Sequence, residues 1–330
     1  MPGLVQHVPR LLAVRVLFAG TPAVAVPSLD ALLASSHHVV GVLTRPPAPA
    51  GRKRVLTPSP VHARAEEVGI PVVTARRPHD ADTMERLRDL EIDCAAVVAY
   101  GALLREPALS LPPHGWINLH FSLLPAWRGA APVQHALMAG DDVTGATTFR
   151  IDPGLDTGPV LGAMTETIRR DDTAGSLLDR LSHAGAPLLV ATLDAIAEGM
   201  VQPSAQPDDG VSLAPPLSTA DARIDWRLPV EAVDRRVRGV TPAPGAWTTH
   251  LGERFKIAPL VPATMRISLP PGEVHVTSDA VLVGTGSAPA RLERLAPPGK
   301  AWMAATDWAR GARLGPGWRF DVDQEDGTDG

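Results

Sequence analysis

The sequence predicts a doubly wound, mostly parallel α/β sheet followed by a smaller β-barrel domain, and three observations point to that fold class. The chain has 330 residues, which exceeds the usual size of one domain, so two domains are expected. Continuous apolar, β-branched segments alternate with helical patterns in its first part. Short apolar segments separated by Gly and Pro fill its last part, and this spacing favours a small barrel or sandwich.

Several segments of the first part have the composition of buried strands. They are VRVLFAG, HHVVGVLT, CAAVVAYG, WINLH and TGATTFRI. Helical patterns lie between them, and a long helix from about Ala174 to Gly199 ends the alternation. Ser59 and Pro60 suit the cap and first position of one helix, and Gly140 suits the end of another. Strands separated by helices imply a parallel sheet, in which ligands bind beyond the carboxyl ends of the strands.

Changes of composition divide the chain. We expect a leader over residues 1–13, a first domain over 14–199 and a second domain over 221–320. Residues 200–220 are rich in Pro, Ser, Ala and Asp, which is typical of a linker. Residues 321–330 are acidic and have the composition of a solvated tail.

The net charge of −5 conceals a basic second domain. Residues 221–320 contain 14 Lys and Arg against 9 Asp and Glu, whereas the tail adds five acids and no base. A basic excess of this kind suits an anionic partner.

Composition also limits the class of protein. The single cysteine, Cys94, cannot form an internal disulfide and lies in a predicted buried strand, where an inert thiol is expected. No apolar run reaches the length of a membrane span, and we expect a cytoplasmic location. The histidines have no metal-ligand spacing, and neither a nucleophile elbow nor a Walker loop is present.

The stretch INLHFSLLPAWRGAAPVQHAL contains a candidate site. Asn118 and His120 are two positions apart in the predicted strand WINLH, so their side chains share one face near its carboxyl end. A polar pair that faces a crevice there suits a binding or catalytic site. A solvent-facing edge of the sheet would produce the same pattern.

Three loops carry further candidates. Asp156 lies in the middle of DPGLDTGPV, either at a site or capping its own turn, as Asp between glycines commonly does. Gly20 in FAGTP follows the first strand and would let a ligand approach the backbone. The absence of G-x-G-x-x-G argues against a nicotinamide or flavin cofactor. The basic run of Arg52, Lys53 and Arg54 suits either phosphate contacts or a solvated loop.

These motifs together resemble a known family. NLHFSLLPAWRGAAPVQHAL followed by GATTFRIDPGLDTGPVL is similar to the folate-dependent formyltransferases. The likeness covers nearly the whole chain after about Val14, with both domains in order. The AGTP start, WRGAAP and the ARIDW segment at the head of the second domain resemble the branch of the family that acts on tRNA.

The resemblance implies a formyltransferase-like first domain and a second domain similar to an oligonucleotide-binding (OB) barrel. It implies transfer of a formyl group from 10-formyltetrahydrofolate, as co-substrate, to the α-amine of methionyl-initiator tRNA. The product, N-formylmethionyl-tRNA, serves translation initiation. We expect a monomer that needs no metal.

The motif match also assigns roles to residues. Asn118, His120 and Asp156 take the catalytic positions, and the basic run matches the segment that contacts the tRNA acceptor arm. The folate-contact position is taken by the SLLP turn, which consists of Ser122, Leu123, Leu124 and Pro125.

The chemistry of formyl transfer agrees with these roles. An amine that attacks a formamide carbonyl generates an oxyanion, which donors placed in advance stabilise. Asn118 and His120 can each donate an N–H group to it. We expect Asp156 to hold the imidazole, to favour its protonated form and to accept the proton of the amine directly or through water.

The chain departs from the family pattern at Phe121, Ala126 and Pro216, and its basic run lacks the glycine that often follows the arginine. All of these departures spare the catalytic positions, and those at Ala126, at Pro216 and in the basic run concern tRNA contacts. Three other functions remain open. They are formylation of a small amine such as a nucleotide sugar or glycinamide ribonucleotide, hydrolysis of the same formyl donor, and RNA binding without catalysis. The barrel and the basic run argue against the first.

Overall fold

A computed structural model describes residues 13–51, 54–265 and 267–322 of the chain. The chain divides into two compact units, each assembled from several segments. The first unit consists of Met1–Gly129, Val143–Thr167 and Leu178–Leu213, and the second of Ala130–Asp142, Ile168–Leu177 and Ala214–Gly330. Arg52, Lys53, residues 1–12 of the expected leader and residues 323–330 of the expected tail lie outside the described residues.

The first unit contains the earlier strands of the chain. They are β1 (Arg15–Gly20), β2 (His38–Thr44), β3 (Ala48–Ala50), β4 (Val55–Thr57), β5 (Val72–Thr74), β6 (Cys94–Val98), β7 (Trp116–His120), β8 (Arg128–Gly129), β9 (Val143–Arg150) and β10 (Val160–Thr167). A seven-stranded sheet has the order β10-β9-β7-β6-β1-β2-β5, and β3 and β4 form a separate hairpin.

This sheet confirms the doubly wound, mostly parallel fold. The strands from β7 to β5 in the sheet order run parallel, so their carboxyl ends share one edge. β9 and β10 run antiparallel to their neighbours, a reversal that the alternation of strands and helices did not predict. Apolar patterns in the sequence did not identify β5 or β10. β5 has three residues, and alternate residues of β10 are exposed, so neither forms a long apolar run.

The described residues contain helices from both units. They are α1 (Val26–Leu33), α2 (Pro60–Glu67), α3 (Ala81–Arg88), α4 (Pro132–Ala139), α5 (Ala174–Ala197), α6 (Val230–Gly239) and α7 (Ala305–Ala312). Ser59 caps α2, because its hydroxyl accepts a hydrogen bond from the His62 backbone N–H at 3.1 Å. Gly140 ends α4 in the left-handed conformation, with φ 85°. Both positions agree with the sequence prediction. None of the helices in this part of the chain combines the length and apolar character of a membrane span.

The second domain contains antiparallel strands, as predicted. The later strands of the chain are β11 (Leu213–Ala214), β12 (Trp247–His250), β13 (Glu253–Ile257), β14 (Val261–Pro262), β15 (Val274–Val276), β16 (Val281–Val283), β17 (Ala290–Leu292), β18 (Arg294–Ala296) and β19 (Met303–Ala304). Two four-stranded sheets have the orders β12-β13-β18-β19 and β14-β17-β16-β15.

The core of the second unit combines stacked aromatic rings with one face of α6. The rings of Trp226 and Phe320 are stacked, with centroids 5.8 Å apart, and both are fully buried. α6 buries Val230, Val233 and Val237, which lie three and four positions apart on one helical face. α4 packs against α6 where Gly239 allows close approach, because a Cβ there would lie 2.6 Å from Met138 Cγ.

Two predictions about single residues have different outcomes. Cys94 is fully buried, and burial raises the pKa of its thiol to about 12, so the inert thiol is confirmed. The expectation that Gly20 lets a ligand approach the backbone stays a prediction, and packing gives this glycine a separate reason. A Cβ at Gly20 would lie 2.8 Å from the Phe18 ring and 3.1 Å from the Val98 carbonyl, so protein atoms already fill this space.

Candidate active site

Asn118 and His120 lie on a central strand and not at the rim of the sheet. β7 pairs with β6 on one side and with β9 on the other, which excludes a solvent-facing edge. His120 is the last residue of β7 and is 6% exposed. The pair therefore stands at the carboxyl end of a central strand, where doubly wound sheets bind ligands.

The hydrogen bond of His120 determines which ring nitrogen carries a proton. Nε2 lies 2.9 Å from the carbonyl oxygen of Trp127. A carbonyl can only accept, so Nε2 must be protonated and donate. Nδ1 is then the nitrogen that gains or loses a proton, and it lies 3.8 Å from Oδ2 of Asp156.

Asp156 reaches out of its own loop. Its Oδ2 accepts a hydrogen bond from the Gly129 backbone N–H at 2.7 Å, across 27 positions of sequence. The local capping role belongs instead to Asp152, whose Oδ1 accepts from the Gly154 N–H at 3.0 Å and from the Thr157 hydroxyl at 2.7 Å. Of the two interpretations of Asp156 that the sequence left open, the structure therefore favours the one in which it serves a site.

Burial decides the charge of His120. It lowers the pKa of the imidazole below its usual value, and the Asp156 carboxylate and the Trp127 carbonyl oppose this shift without overcoming it. The imidazole is neutral near pH 7; Asp156 favours its protonated form, as expected, but does not offset the effect of burial. Nδ1 and the carboxylate are then two acceptors 3.8 Å apart, too far for a direct hydrogen bond. An amine N–H placed beside them would find two proton acceptors.

The side chain of Asn118 has a different environment. It is partly exposed and makes no hydrogen bond with any residue within the described ranges. Its amide N–H groups are therefore available to a ligand oxygen at the strand end. The site thus places an open donor and a proton acceptor on the same face of β7.

The SLLP turn is held by hydrogen bonds to β9. The hydroxyl of Thr147 donates to the Ser122 carbonyl at 2.7 Å and accepts from the Leu124 N–H at 3.2 Å. The Ser122 hydroxyl is fully buried and donates to the Ala126 carbonyl at 2.6 Å. Ser122 therefore shapes the turn from inside, whereas Leu123, Leu124 and Pro125 are partly exposed.

Gln206 is a residue of the site that the sequence analysis missed. Its amide nitrogen donates to the carbonyls of Asp156 and Gly158, each at 2.8 Å. Its amide oxygen accepts from Nε and Nη2 of Arg128 at 3.0 and 2.7 Å. These four bonds tie the Asp156 loop to the segment after the SLLP turn. Gln206 lies in the Pro-rich stretch interpreted as a linker, and a composition of that kind gives no sign of a structural glutamine.

Two family models match this chain. The model for the formyl transferase family matches residues 13–193, and the model for the formyl transferase C-terminal domain matches residues 216–313. The chain belongs to the formyl transferase family. The resemblance predicted from its motifs is thereby confirmed.

Relatives of this formyl transferase extend over both domains. The methionyl-tRNA formyltransferase of Arthrobacter sp. (strain FB24) is 61% identical over 297 residues, which cover 90% of this chain and 96% of that protein. The solved structure of methionyl-tRNA formyltransferase from Clostridium thermocellum has a TM-score of 0.55 and 11% identity, with coverage of 82% and 96%. An N-formyltransferase from Helicobacter canadensis in complex with folinic acid and dTDP-3-aminofucose has a TM-score of 0.64 and 16% identity, with coverage of 84% and 98%. At such identities the two structures show the shared fold.

Arg54 is the described residue of the basic run and lies in a surface hairpin. Arg54 is exposed in the turn between β3 and β4, with φ 50°, and its N–H donates to the Gly51 carbonyl at 3.2 Å. The two other residues of the run are outside the described part of the chain. Within that part, no cluster of three or more His, Cys, Asp or Glu side chains has the arrangement of a metal site.

Proposed function

We propose that this chain transfers the formyl group of 10-formyltetrahydrofolate to the α-amine of methionyl-initiator tRNA, which yields N-formylmethionyl-tRNA for translation initiation. The observation that carries the proposal is identity of 61% to a methionyl-tRNA formyltransferase over 297 residues that span both domains. The arrangement of Asn118, His120 and Asp156 supplies the groups that the reaction requires. A protein with this role acts in the cytoplasm, and we propose that it does so as a monomer.

In the proposed mechanism, Asn118 stabilises the charge that develops on the formyl oxygen. The amine attacks the formyl carbon, a new C–N bond forms, and the carbonyl oxygen becomes an oxyanion. A donor already in position stabilises this charge without reorganisation, and such a donor typically contributes about 2.7–4 kcal/mol. The side-chain amide of Asn118 is such a donor, since it is free of other partners within the described residues.

His120 and Asp156 handle the proton of the amine. The neutral Nδ1 of His120 accepts it, and the Asp156 carboxylate, 3.8 Å away, stabilises the imidazolium that forms. The proton then passes to N10 of the folate, and the bond between N10 and the formyl carbon breaks. Nε2 of His120 stays bonded to the Trp127 carbonyl at 2.9 Å, so the ring keeps its orientation while Nδ1 changes charge.

The donor and the acceptor bind through separate segments in this proposal. The pterin ring lies against the SLLP turn, where Leu123, Leu124 and Pro125 present partly exposed apolar surface and buried Ser122 keeps the turn in shape. The basic run, Arg52–Arg54, contacts phosphates of the tRNA acceptor arm. Replacing all three of its residues by alanine should raise the KM for tRNA, flatten its salt dependence and leave folate affinity unchanged.

A formylation assay with three acceptors tests the proposed function. Charged initiator tRNA, charged elongator tRNA and small amines such as glycinamide ribonucleotide are each offered with 10-formyltetrahydrofolate. We expect rapid formylation of initiator tRNA and little product from the others. Preferred formylation of a small amine would overturn the proposal. Release of formate in the absence of any acceptor would also overturn it, because that is the reaction of a hydrolase. A wild-type protein that binds tRNA without formylating it, and binds it equally well after His120→Ala, would be a non-catalytic RNA-binding protein.

A further inference from the structure

A cavity of about 230 Å³ lies within the second unit and shares no lining residue with the candidate active site. Its walls come from the end of α4, from the segment after β10 and from α6. Its charged lining side chains are Arg169, Arg170, Arg235, Arg238, Asp141 and Asp142. Arginine therefore dominates the lining.

The four arginines differ in what neutralises them. Arg238 pairs with Asp234 at 2.9 Å and donates to the Asp172 carbonyl at 3.0 Å. The side chains of Arg169, Arg170 and Arg235 make no hydrogen bond or ion pair with any residue that the structure describes. Asp234 attracts Arg170 and Arg235 without contacting them. Three guanidinium groups with no direct partner thus line one small cavity, and an anion there would gain charge-assisted hydrogen bonds from a planar fork.

The acidic side chains do not cancel this charge. Asp234 is paired with Arg238, and Asp141 has interactions of its own. Asp142 is exposed at the wall of the cavity, and it is the acid that would repel a bound anion. The net charge of the four arginines together with these three carboxylates is therefore positive.

The position of Arg235 depends on a glycine. Gly140 has φ 85°, and a Cβ at this residue would lie 2.4 Å from Cζ of Arg235. Any other side chain at position 140 would therefore push the guanidinium away as well as strain the backbone. The C-terminal end of α4 is also the negative end of a helix dipole, which favours a cation such as Arg235 beside it.

The size of the cavity narrows the class of ligand. At about 230 Å³ it is smaller than the roughly 300–1,000 Å³ typical of sites for whole small molecules. A phosphate group with ordered water fits such a volume. We propose that Arg169, Arg170 and Arg235 bind one phosphate of the tRNA backbone in this cavity. The proposal rests on the proposed tRNA substrate and adds to it a contact in the second unit.

Equilibrium binding of charged initiator tRNA tests the proposal. In the full-length chain, Arg169→Gln/Arg170→Gln/Arg235→Gln should bind tRNA about tenfold more weakly or worse, because charge-assisted bonds are lost. The log–log salt slope should fall by about one unit, the share of one phosphate contact. Asp142→Asn, which removes the repelling acid, should bind tRNA more tightly. The affinity for 10-formyltetrahydrofolate should stay the same in both variants.

A matched control removes equal charge elsewhere. Arg76→Gln/Arg77→Gln/Arg88→Gln changes three exposed arginines of the first unit, outside the cavity. If the cavity variant behaves like this control in affinity and slope, the proposal is overturned. Should the cavity variant fail to fold, Arg169→Gln/Arg170→Gln decides the matter, because both side chains are exposed and belong to no helix or strand.

Inorganic pyrophosphate, as a second probe, separates tRNA from a free phosphate compound. If the cavity variant loses pyrophosphate binding while its tRNA affinity stays at the wild-type value, the tRNA ligand is overturned. Failure of the proposed function has another signature, since the wild-type enzyme would then not formylate charged initiator tRNA. If the wild-type enzyme formylates charged initiator tRNA and the cavity variant binds tRNA as tightly as the wild type, only the proposal about the arginines is overturned.

Discussion

The strand-end site of the first unit and the arginine cavity of the second use polar groups in opposite ways. At the strand end, hydrogen bonds fix His120, Asp156, Gln206 and the SLLP turn, and the open donor is the amide of Asn118. In the cavity, three of the four arginines make no direct ion pair or hydrogen bond within the described residues. The first arrangement suits chemistry, which needs groups fixed before the reaction. The second suits attraction of a polyanion.

Free energy explains this difference. A catalytic donor is effective when it need not reorganise as charge develops, so supporting hydrogen bonds around it are useful. A phosphate contact acts by displacing counter-ions from the nucleic acid, and a cation that is already paired loses much of this effect. Substitutions in the two regions should therefore change different kinetic constants.

The largest effect should come from the catalytic positions. Asn118→Ala, His120→Ala and Asp156→Asn should each lower kcat about 10²–10³-fold with little change in the KM for tRNA. Their combined loss should be far smaller than the product of the single losses, because the groups act on one intermediate. Steady-state kinetics on folded variants measures both. Near-full activity of His120→Ala would contradict the catalytic role of His120. A large rise in the KM for tRNA in these variants would show that the strand-end site and the cavity do not affect different kinetic constants.

The next effect concerns Gln206. Gln206→Ala removes the bonds that connect Arg128 with the Asp156 loop, so Asp156 should lose its fixed position and kcat should fall about tenfold. The KM for tRNA should not change. Gln202→Ala is a matched control, since Gln202 is an exposed glutamine of the same segment. Equal kinetics of the two variants would show that Gln206 has no positioning role.

A smaller effect should follow from loosening the SLLP turn. Thr147→Val keeps the shape of the side chain and removes the hydroxyl that bonds Ser122 and Leu124. We expect a KM for 10-formyltetrahydrofolate raised about threefold to tenfold and an unchanged KM for tRNA. Thr144→Val on the same strand is the control, because the buried Thr144 hydroxyl has no hydrogen-bond partner within the described residues. If both variants raise the KM equally, the turn is not the donor site.

The smallest expected effect is on the pH dependence of stability and comes from His37. This residue lies in the first unit, outside both the strand-end site and the arginine cavity, so it should change stability without changing catalysis. Burial lowers the pKa of His37 below its usual value of 6.5, while Asp194, 3.3 Å away, opposes the shift. The unfolded chain therefore binds this proton more readily than the folded one. Stability should be full above about pH 6.5 and should decrease below it, by at most about 1.4 kcal/mol per pH unit.

Denaturant titrations between pH 7.5 and 5.5 measure this decrease. His37→Gln should reduce it, and Asp194→Asn should steepen it because the stabilising carboxylate is lost. The pH dependence of kcat should not change in His37→Gln, because His120 is intact. An unaltered stability profile in His37→Gln would assign the acid sensitivity to other groups.

Local patterns were sufficient to predict most of the fold. Continuous apolar runs identified β1, β2, β6 and β7, and turn chemistry identified the ends of helices, as at Ser59 and Gly140. β10 escaped prediction because alternate side chains face solvent, and its antiparallel direction depends on pairing with β9. Composition likewise could not show that residues from α4 join the second unit.

The candidate site was predictable only where the family motif marked it. Asp152 and Asp156 are indistinguishable by loop composition, and only the folded chain shows which one meets Gly129. The charge of His120 follows from burial, which no spacing encodes. The folate and tRNA roles of the SLLP turn and of Arg52–Arg54 remain predictions.

The packing of α4 on α6 also has a consequence for synthesis of the chain on the ribosome. About 90 residues separate the end of α4 from the start of α6. At about 5–20 residues per second, α4 is made some 5–18 s before this partner helix. During that interval Met138 of α4, which packs against the core that contains the buried face of α6, has no α6 to cover it. In a nascent chain that stops before Val230, the surface of α4 that packs on α6 is therefore uncovered, and we expect this surface to be open to chaperones and to aggregation.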